Sequence, residues 1–165
     1  MREVGNLNNS LCYISQLTSR TLQNIKFEHQ NKDYEGSTFS IRNFTFRCRL
    51  GKLTPKKKGY FVAFWEKDSV GNNQAFSFQN YPNKLIVVII DDSLSGQFVF
   101  PKEILLKKNI LKSPGSKGKM AMRVYPDWET DLNTSATKTQ NWQSKYFIDT
   151  SSIIDSEKLN TLYYE

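Results

Sequence analysis

Arg49-Leu50-Gly51-Lys52-Leu53-Thr54-Pro55-Lys56-Lys57-Lys58-Gly59-Tyr60-Phe61-Val62-Ala63-Phe64-Trp65-Glu66-Lys67 reads as strand, basic turn, strand. A Thr-Pro step, three lysines and a glycine stand between two runs rich in β-formers, which is loop chemistry joining paired strands. The lysines therefore sit together on a solvated tip. Residues 42 to 67 hold eight Lys/Arg and one acid, a charge of +7 that equals the net charge of the whole chain. Residues 102 to 123 hold seven and one, for +6, so the remainder nets about −6. Positive charge segregated in this way points to a polyanionic partner.

Working outward from that stretch, Phe39 and Ile41, then Phe44, Phe46, Cys48 and Leu50, recur with period two, with Arg42-Asn43 between them. This predicts a hairpin whose second strand turns Arg47 and Arg49 away from the face that carries Phe46 and Cys48. Residues 60 to 65 are apolar at every position, which predicts a central strand covered on both sides. The β-branched run Leu85-Ile86-Val87-Val88-Ile89-Ile90, ending in Asp91-Asp92, predicts a further buried strand. Shorter strands are expected over residues 74 to 78, 97 to 100 and 120 to 125, the last stopped by Pro126.

Leu7, Leu11, Ile14, Leu17, Leu22 and Ile25 step by mostly three and four, so residues 6 to 30 predict an amphipathic helix capped by Asn6 or Asn8. Pro101 favours a helix start, continuing to residue 111 with Lys107 and Lys108 in its last turn. Thr134 or Ser135 is the expected cap of a final helix carrying Trp142, Tyr146 and Phe147. Residues from about 150 are expected to form a loosely held tail. The element order describes an α/β or α+β fold over residues 1 to 165, a single domain with one mixed sheet of five or six strands flanked by helices.

At 165 residues the chain has the length of one domain, and 13% aromatic content argues against disorder. A pI near 9.4 places nucleic acid first among partners and an anionic membrane surface second. Cys12 and Cys48 give neither metal spacing nor a disulfide framework and are expected to be small buried hydrophobes. His29 is the single histidine, which argues against Ser or Cys triads and against a histidine-ligated zinc. No phosphate-cradling loop and no dinucleotide fingerprint is present. With no signal-peptide pattern and no membrane-length apolar run, a cytoplasmic protein without a membrane span is expected.

Three functional readings remain in view. Arg47, Arg49 and Lys52 on one strand, Lys56, Lys57 and Lys58 on its tip, and Lys117, Lys119 and Arg123 downstream would bind phosphates without sequence preference if the two windows meet in space. DNA is the first partner to expect, and this reading needs neither cofactor nor metal. Tyr60, Trp65 and Trp128 are candidate stacking rings, with Tyr60 and Trp65 better placed as core and Trp128 as the exposed one. The alternative is a magnesium-dependent nuclease, which needs an acid ending one strand and an acid plus lysine on the next. Leu50-Gly51-Lys52 supplies the lysine but puts leucine in the acid position, so Glu35, Glu66, Asp91 or Asp92 would have to serve, with Lys52 and Glu35 as the catalytic pair. A third reading has the basic surface meet an acidic protein or anionic lipid.

The chain also resembles the MepB family. The resemblance rests on Arg49-x-x-Lys52-x-Thr54-Pro55-x-Lys57-x-Gly59-x-Phe61-Val62-x-x-Trp65-x-Lys67, on Gly96-Gln97-Phe98-Val99-Phe100-Pro101-Lys102, on Met122-Arg123-Val124-Tyr125-Pro126-x-Trp128, and on Thr137-x-Thr139-Gln140-x-Trp142-Gln143-x-x-Tyr146-Phe147. That family is named for a protein encoded beside a multidrug efflux pump. The resemblance implies DNA binding on a restriction-endonuclease-like fold, with Lys52 as the relic of a catalytic strand. Gly51 stands where the family favours alanine. Residues 98 to 102 are also similar to DNA-binding pseudobarrel domains, the alternative fold.

Overall fold

The structure, a computed structural model, describes residues 7–165. Eleven strands and four α-helices follow one another in the order α1 (Asn9–Thr18), β1 (Gln23–Phe27), β2 (Ser37–Ile41), β3 (Phe44–Leu50), β4 (Lys52–Leu53), β5 (Tyr60–Ala63), β6 (Glu66–Lys67), β7 (Asn73–Gln74), β8 (Lys84–Asp91), β9 (Leu94–Pro101), α2 (Lys102–Lys107), β10 (Ala121–Val124), α3 (Thr134–Gln143), β11 (Phe147–Asp149) and α4 (Ser156–Tyr164). This is a mixed α+β architecture. Its main sheet has six strands in the order β1-β2-β3-β8-β9-β11. Every pairing is antiparallel except β3 with β8. The sheet is open, ending in β1 and β11, so it does not close into a pseudobarrel.

A parallel pair needs a crossover, and here residues 51–83 supply it with strands rather than a helix. With β10 from further along the chain, β4 and β5 of this crossover build a second sheet, β10-β5-β4, over one face of the first. Alternation in the central strands then divides the core in two. Phe46 and Cys48 of β3, Ile86 and Val88 of β8 and Val99 of β9 pack beneath Leu11 and Ile14 of α1 and Leu162 and Tyr163 of α4. Leu85, Val87 and Ile89, with Phe98 and Phe100, pack on the other face beneath Tyr60, Val62 and Val124 of the small sheet. Each fully buried side chain of this size stabilises the fold by about 1.5–3 kcal/mol.

The Arg42-Asn43 hairpin, the β8 strand and the short strands near residues 98 and 122 form as the pattern predicts. The first helix does not run to residue 30. Ser19 adopts a left-handed conformation, φ 53°, its N–H bonds back to the helix, and Thr18 Oγ1 donates to the Ile14 carbonyl, which ends the helix at Thr18. Gln23–Phe27 then finds hydrogen-bond partners on the free edge of β2 and becomes β1. Asn8 caps α1 through the Leu11 N–H; the alternative cap, Asn6, lies outside the described residues. Asn133, rather than Thr134 or Ser135, caps α3 by accepting from the Ala136 N–H. Phe147, expected on that helix, leaves it for β11.

The segment after residue 150 is not a loose tail. Asp155 caps α4, Tyr163 is fully buried and its hydroxyl donates to Gln97 Oε1, and Lys84 Nζ donates to the Leu162 carbonyl. Both cysteines are free, with Cys48 buried and Cys12 half-buried.

Candidate nucleic-acid interface

Arg47 and Arg49 do turn away from Phe46 and Cys48, but what they meet is the second core layer. Arg49 has no exposed surface, and its guanidinium donates to Glu28 Oε2 (2.5 Å), to Asn31 Oδ1 (2.8 and 3.2 Å) and to the carbonyls of Cys48 (2.9 Å) and Ala63 (3.0 Å). Arg47 Nε donates to the other Glu28 oxygen at 2.7 Å, and its guanidinium lies 3.8 Å from the Phe76 ring centroid and 4.9 Å from that of Tyr81. Burial works to lower the Arg47 pKa, but its interactions with Tyr81 and Glu28 outweigh burial and raise it. Gly36 makes room for this cluster: a Cβ there would lie 3.0 Å from Arg49 Nη1. Arg49, fully buried with its donors engaged, cannot reach a phosphate, and Arg47 is half-buried with its Nε held by Glu28 and its guanidinium laid on the Phe76 ring, so neither stands free as the lysines do.

Lys52 is not on the arginine strand. The chain leaves the main sheet at Gly51, and Lys52 opens β4 in the small sheet, where its ammonium lies 5.4 Å from the Tyr34 ring centroid. Glu35, its partner in the nuclease alternative, accepts the Ser10 N–H at 2.8 Å and so holds the first turn of α1. Asp91 accepts the Tyr60 hydroxyl at 2.7 Å, and both burial and this carboxylate raise the Tyr60 pKa. Among the described residues no group of three or more His, Cys, Asp and Glu side chains could hold a metal ion.

The tip lysines Lys56, Lys57 and Lys58 are exposed, as are Lys117 and Lys119, while Arg123 is half-buried. Arg123 is the join between the two basic windows. From β10 its guanidinium donates to Thr54 Oγ1 (2.5 Å) and to the Lys58 carbonyl (3.0 Å), tying the tip to the strand beside it. Gly59 lets the tip turn, with φ +80° and the Tyr125 ring against its α-carbon. Lys58 Nζ donates to the Thr130 carbonyl at 2.6 Å, which brings the start of α3 alongside.

Two hollows result. One, of about 420 Å³, lies among Lys56, Lys57, Lys58, Arg123 and the first turn of α3. The other, of about 290 Å³, adjoins it at Arg123 and Tyr125 and continues past Lys119 to Lys108 and Trp142. Their shared wall is firm because the buried Gln143 side chain bridges α3 and β10, accepting the Tyr125 N–H (2.9 Å) and donating to the Arg123 carbonyl (3.0 Å). Lys108 was legible only as the end of a helix; nothing local marks it as part of a groove. Asp131 is the one acid lining these two hollows. Among the described residues the only ion pairs are those of Glu28 with Arg47 and Arg49.

The rings fall differently from the expectation. Tyr60 is buried, and Trp128 packs half-buried against the core, edge-on to Tyr60 and Phe147, instead of standing free. Residues 60 to 63 are fully covered on one side only, since β5 alternates buried Tyr60 and Val62 with half-buried Phe61 and Ala63. Phe61 is the ring that the sequence pattern concealed.

These features define a mixed α+β protein that carries a basic face on an accessory three-stranded sheet. A family profile described as MepB-like matches residues 28–149, and the chain belongs to that family. It is similar to a protein whose crystal structure is that of MepB, with 42% sequence identity and a TM-score of 0.80 over 88% of this chain and 99% of that one. A search of curated proteins finds no match. No helix among the described residues is long and apolar enough to cross a membrane.

Proposed function

We propose that the protein binds nucleic acid, DNA first, through the basic face of the small sheet and without marked sequence preference. The observation that carries this reading is the join made by Arg123, which gathers cations from residues 52–58 and 108–123 around two adjoining hollows. The phosphate contacts are Lys52, Lys56, Lys57, Lys58, Lys119 and Arg123, with Lys108 at the far end and Lys117 on the loop that precedes β10. None of them has an ion-pair partner among the described residues, so their charge is available to a polyanion. The one parallel pair inside the main sheet, β3 with β8, supports a restriction-endonuclease-like core, with Lys52 carried off it onto a separate sheet.

Counterion release provides the test. With six contacts, the logarithm of the association constant should fall against the logarithm of salt concentration with a slope of about −4 to −5. A weak interaction indifferent to salt refutes the proposal.

A further inference from the structure

We infer that the outer face of the small sheet is a stacking platform for an unpaired base, with Phe61 as its ring, and that the nucleic acid held there is single-stranded. This rests on the reading above and narrows its substrate class.

The register is the first observation. Lys52 pairs with Phe61, and Phe61 pairs with Arg123, so the three form one row across β4, β5 and β10. Residues opposite one another in a sheet project to the same side. The next row, Leu53, Tyr60 and Val124, projects to the other side, where Tyr60 and Val124 are buried in the core. Phe61 therefore faces away from that core, between two cations. Adjacent strands lie about 4.8 Å apart, which sets the two basic residues about 10 Å apart at their α-carbons with the ring between them.

Packing is the second. Phe61 belongs to neither core cluster and is not among the side chains packed against them. Tyr34 meets it with centroids 6.1 Å apart and planes at 62°, so the two rings do not stack on each other. Phe61 is half-buried, partly covered by Tyr34, so only part of its ring remains in water, and that part is the surface a partner would cover. Charge chooses the partner. Lys52, Arg123 and the tip lysines select a polyanion, and the ring selects a polyanion with accessible π-faces. A duplex keeps its base faces in its own stack and presents edges and phosphates. It could use the cations but not Phe61, whereas a single strand uses both.

The test compares a thymidylate dodecamer with a duplex of equal length on the full chain. The single strand should bind more tightly. Phe61→Leu should weaken it by about ten-fold, the scale of one lost base stack, while leaving duplex affinity unchanged and lowering the melting temperature by no more than about 4 °C. Phe61→Trp should keep the affinity and show emission quenched by the dodecamer. Tighter duplex binding, or a Phe61→Leu protein that holds the single strand as the parent does, overturns this inference and leaves the basic face standing. Polyglutamate displacing the dodecamer at equal charge overturns it in favour of an acidic protein partner. If neither nucleic acid binds, the proposed function falls and this inference with it.

Discussion

Arg47 and Arg49 lie within a dozen residues of Lys56, Lys57 and Lys58, in the same basic stretch, yet the fold treats the two groups oppositely. The arginines are enclosed around Glu28, with Asn31 and two carbonyls taking the remaining donors of Arg49. The lysines stand exposed on a tip and form no ion pair among the described residues, although Asp131 lines the hollow beside them. The difference lies in what covers the chain. β3 is sandwiched between helices and the small sheet, so whatever alternates along it is buried on one side or the other, and a guanidinium can satisfy several acceptors at once in a fixed plane. The tip projects beyond both layers, and compact, strongly hydrated ammonium groups remain in water there. Equal charge along the chain thus becomes structural in one place and available in the other.

The contrast can be broken most sharply at Arg49. Arg49→Met leaves the Glu28 carboxylate short of a partner and Asn31 short of its donors, and should cost about 3–5 kcal/mol in urea unfolding. A loss below 1 kcal/mol would mean that the cluster does not hold the two layers together. Gly59→Ala attacks the other region through its backbone. At φ +80°, with a Cβ 2.7 Å from the Tyr125 ring, the substitution should cost about 1–3 kcal/mol and shift the tip from Arg123.

Replacing Lys56, Lys57 and Lys58 together with alanine should change stability by no more than about 0.5 kcal/mol while making the salt dependence of binding shallower by about two to three units. A protein that loses stability but keeps its salt slope would reverse the assignment of the two regions.

Lys84 sharpens the comparison as a lysine buried without a carboxylate at its ammonium. Burial lowers its pKa below 10.5 despite Glu103 and Glu165. Between the lowered value and 10.5 the native chain holds fewer protons at this site than the unfolded chain, so its contribution to stability rises with pH across that window. Unfolding measured over a pH series should show that rise in the parent and a flatter curve in Lys84→Met, the smallest of these effects.

Much of the fold was legible because local rules govern it. Alternation over residues 39 to 50 and the β-branched run at 85 to 90 place their strands, and the motifs around Thr54-Pro55 and Trp128 place the chain in its family. The failures share one cause. Leu22 and Ile25, three residues apart, fit a helical period and not a regular strand; the free edge of β2 and a register shift between Gln23 and Lys26 made this segment a strand. Residues 151 to 165 are polar enough to read as a tail, yet Tyr163 completes a core built from distant strands. At the candidate site the exposed lysines were foreseeable from their turn, while Phe61, Lys108 and the bridging Gln143 were not.

By itself the sequence determined that positive charge is concentrated in two windows and that a strand, a lysine tip and a second strand follow one another. Those are matters of neighbouring residues and short periods. Only the tertiary structure decided that Glu28 takes the arginines out of that charge, that Arg123 joins the windows, and that Phe61 stands between Lys52 and Arg123 on an outer face. Burial and cross-strand registry depend on which remote segments cover each side of a sheet, and no local pattern carries that information.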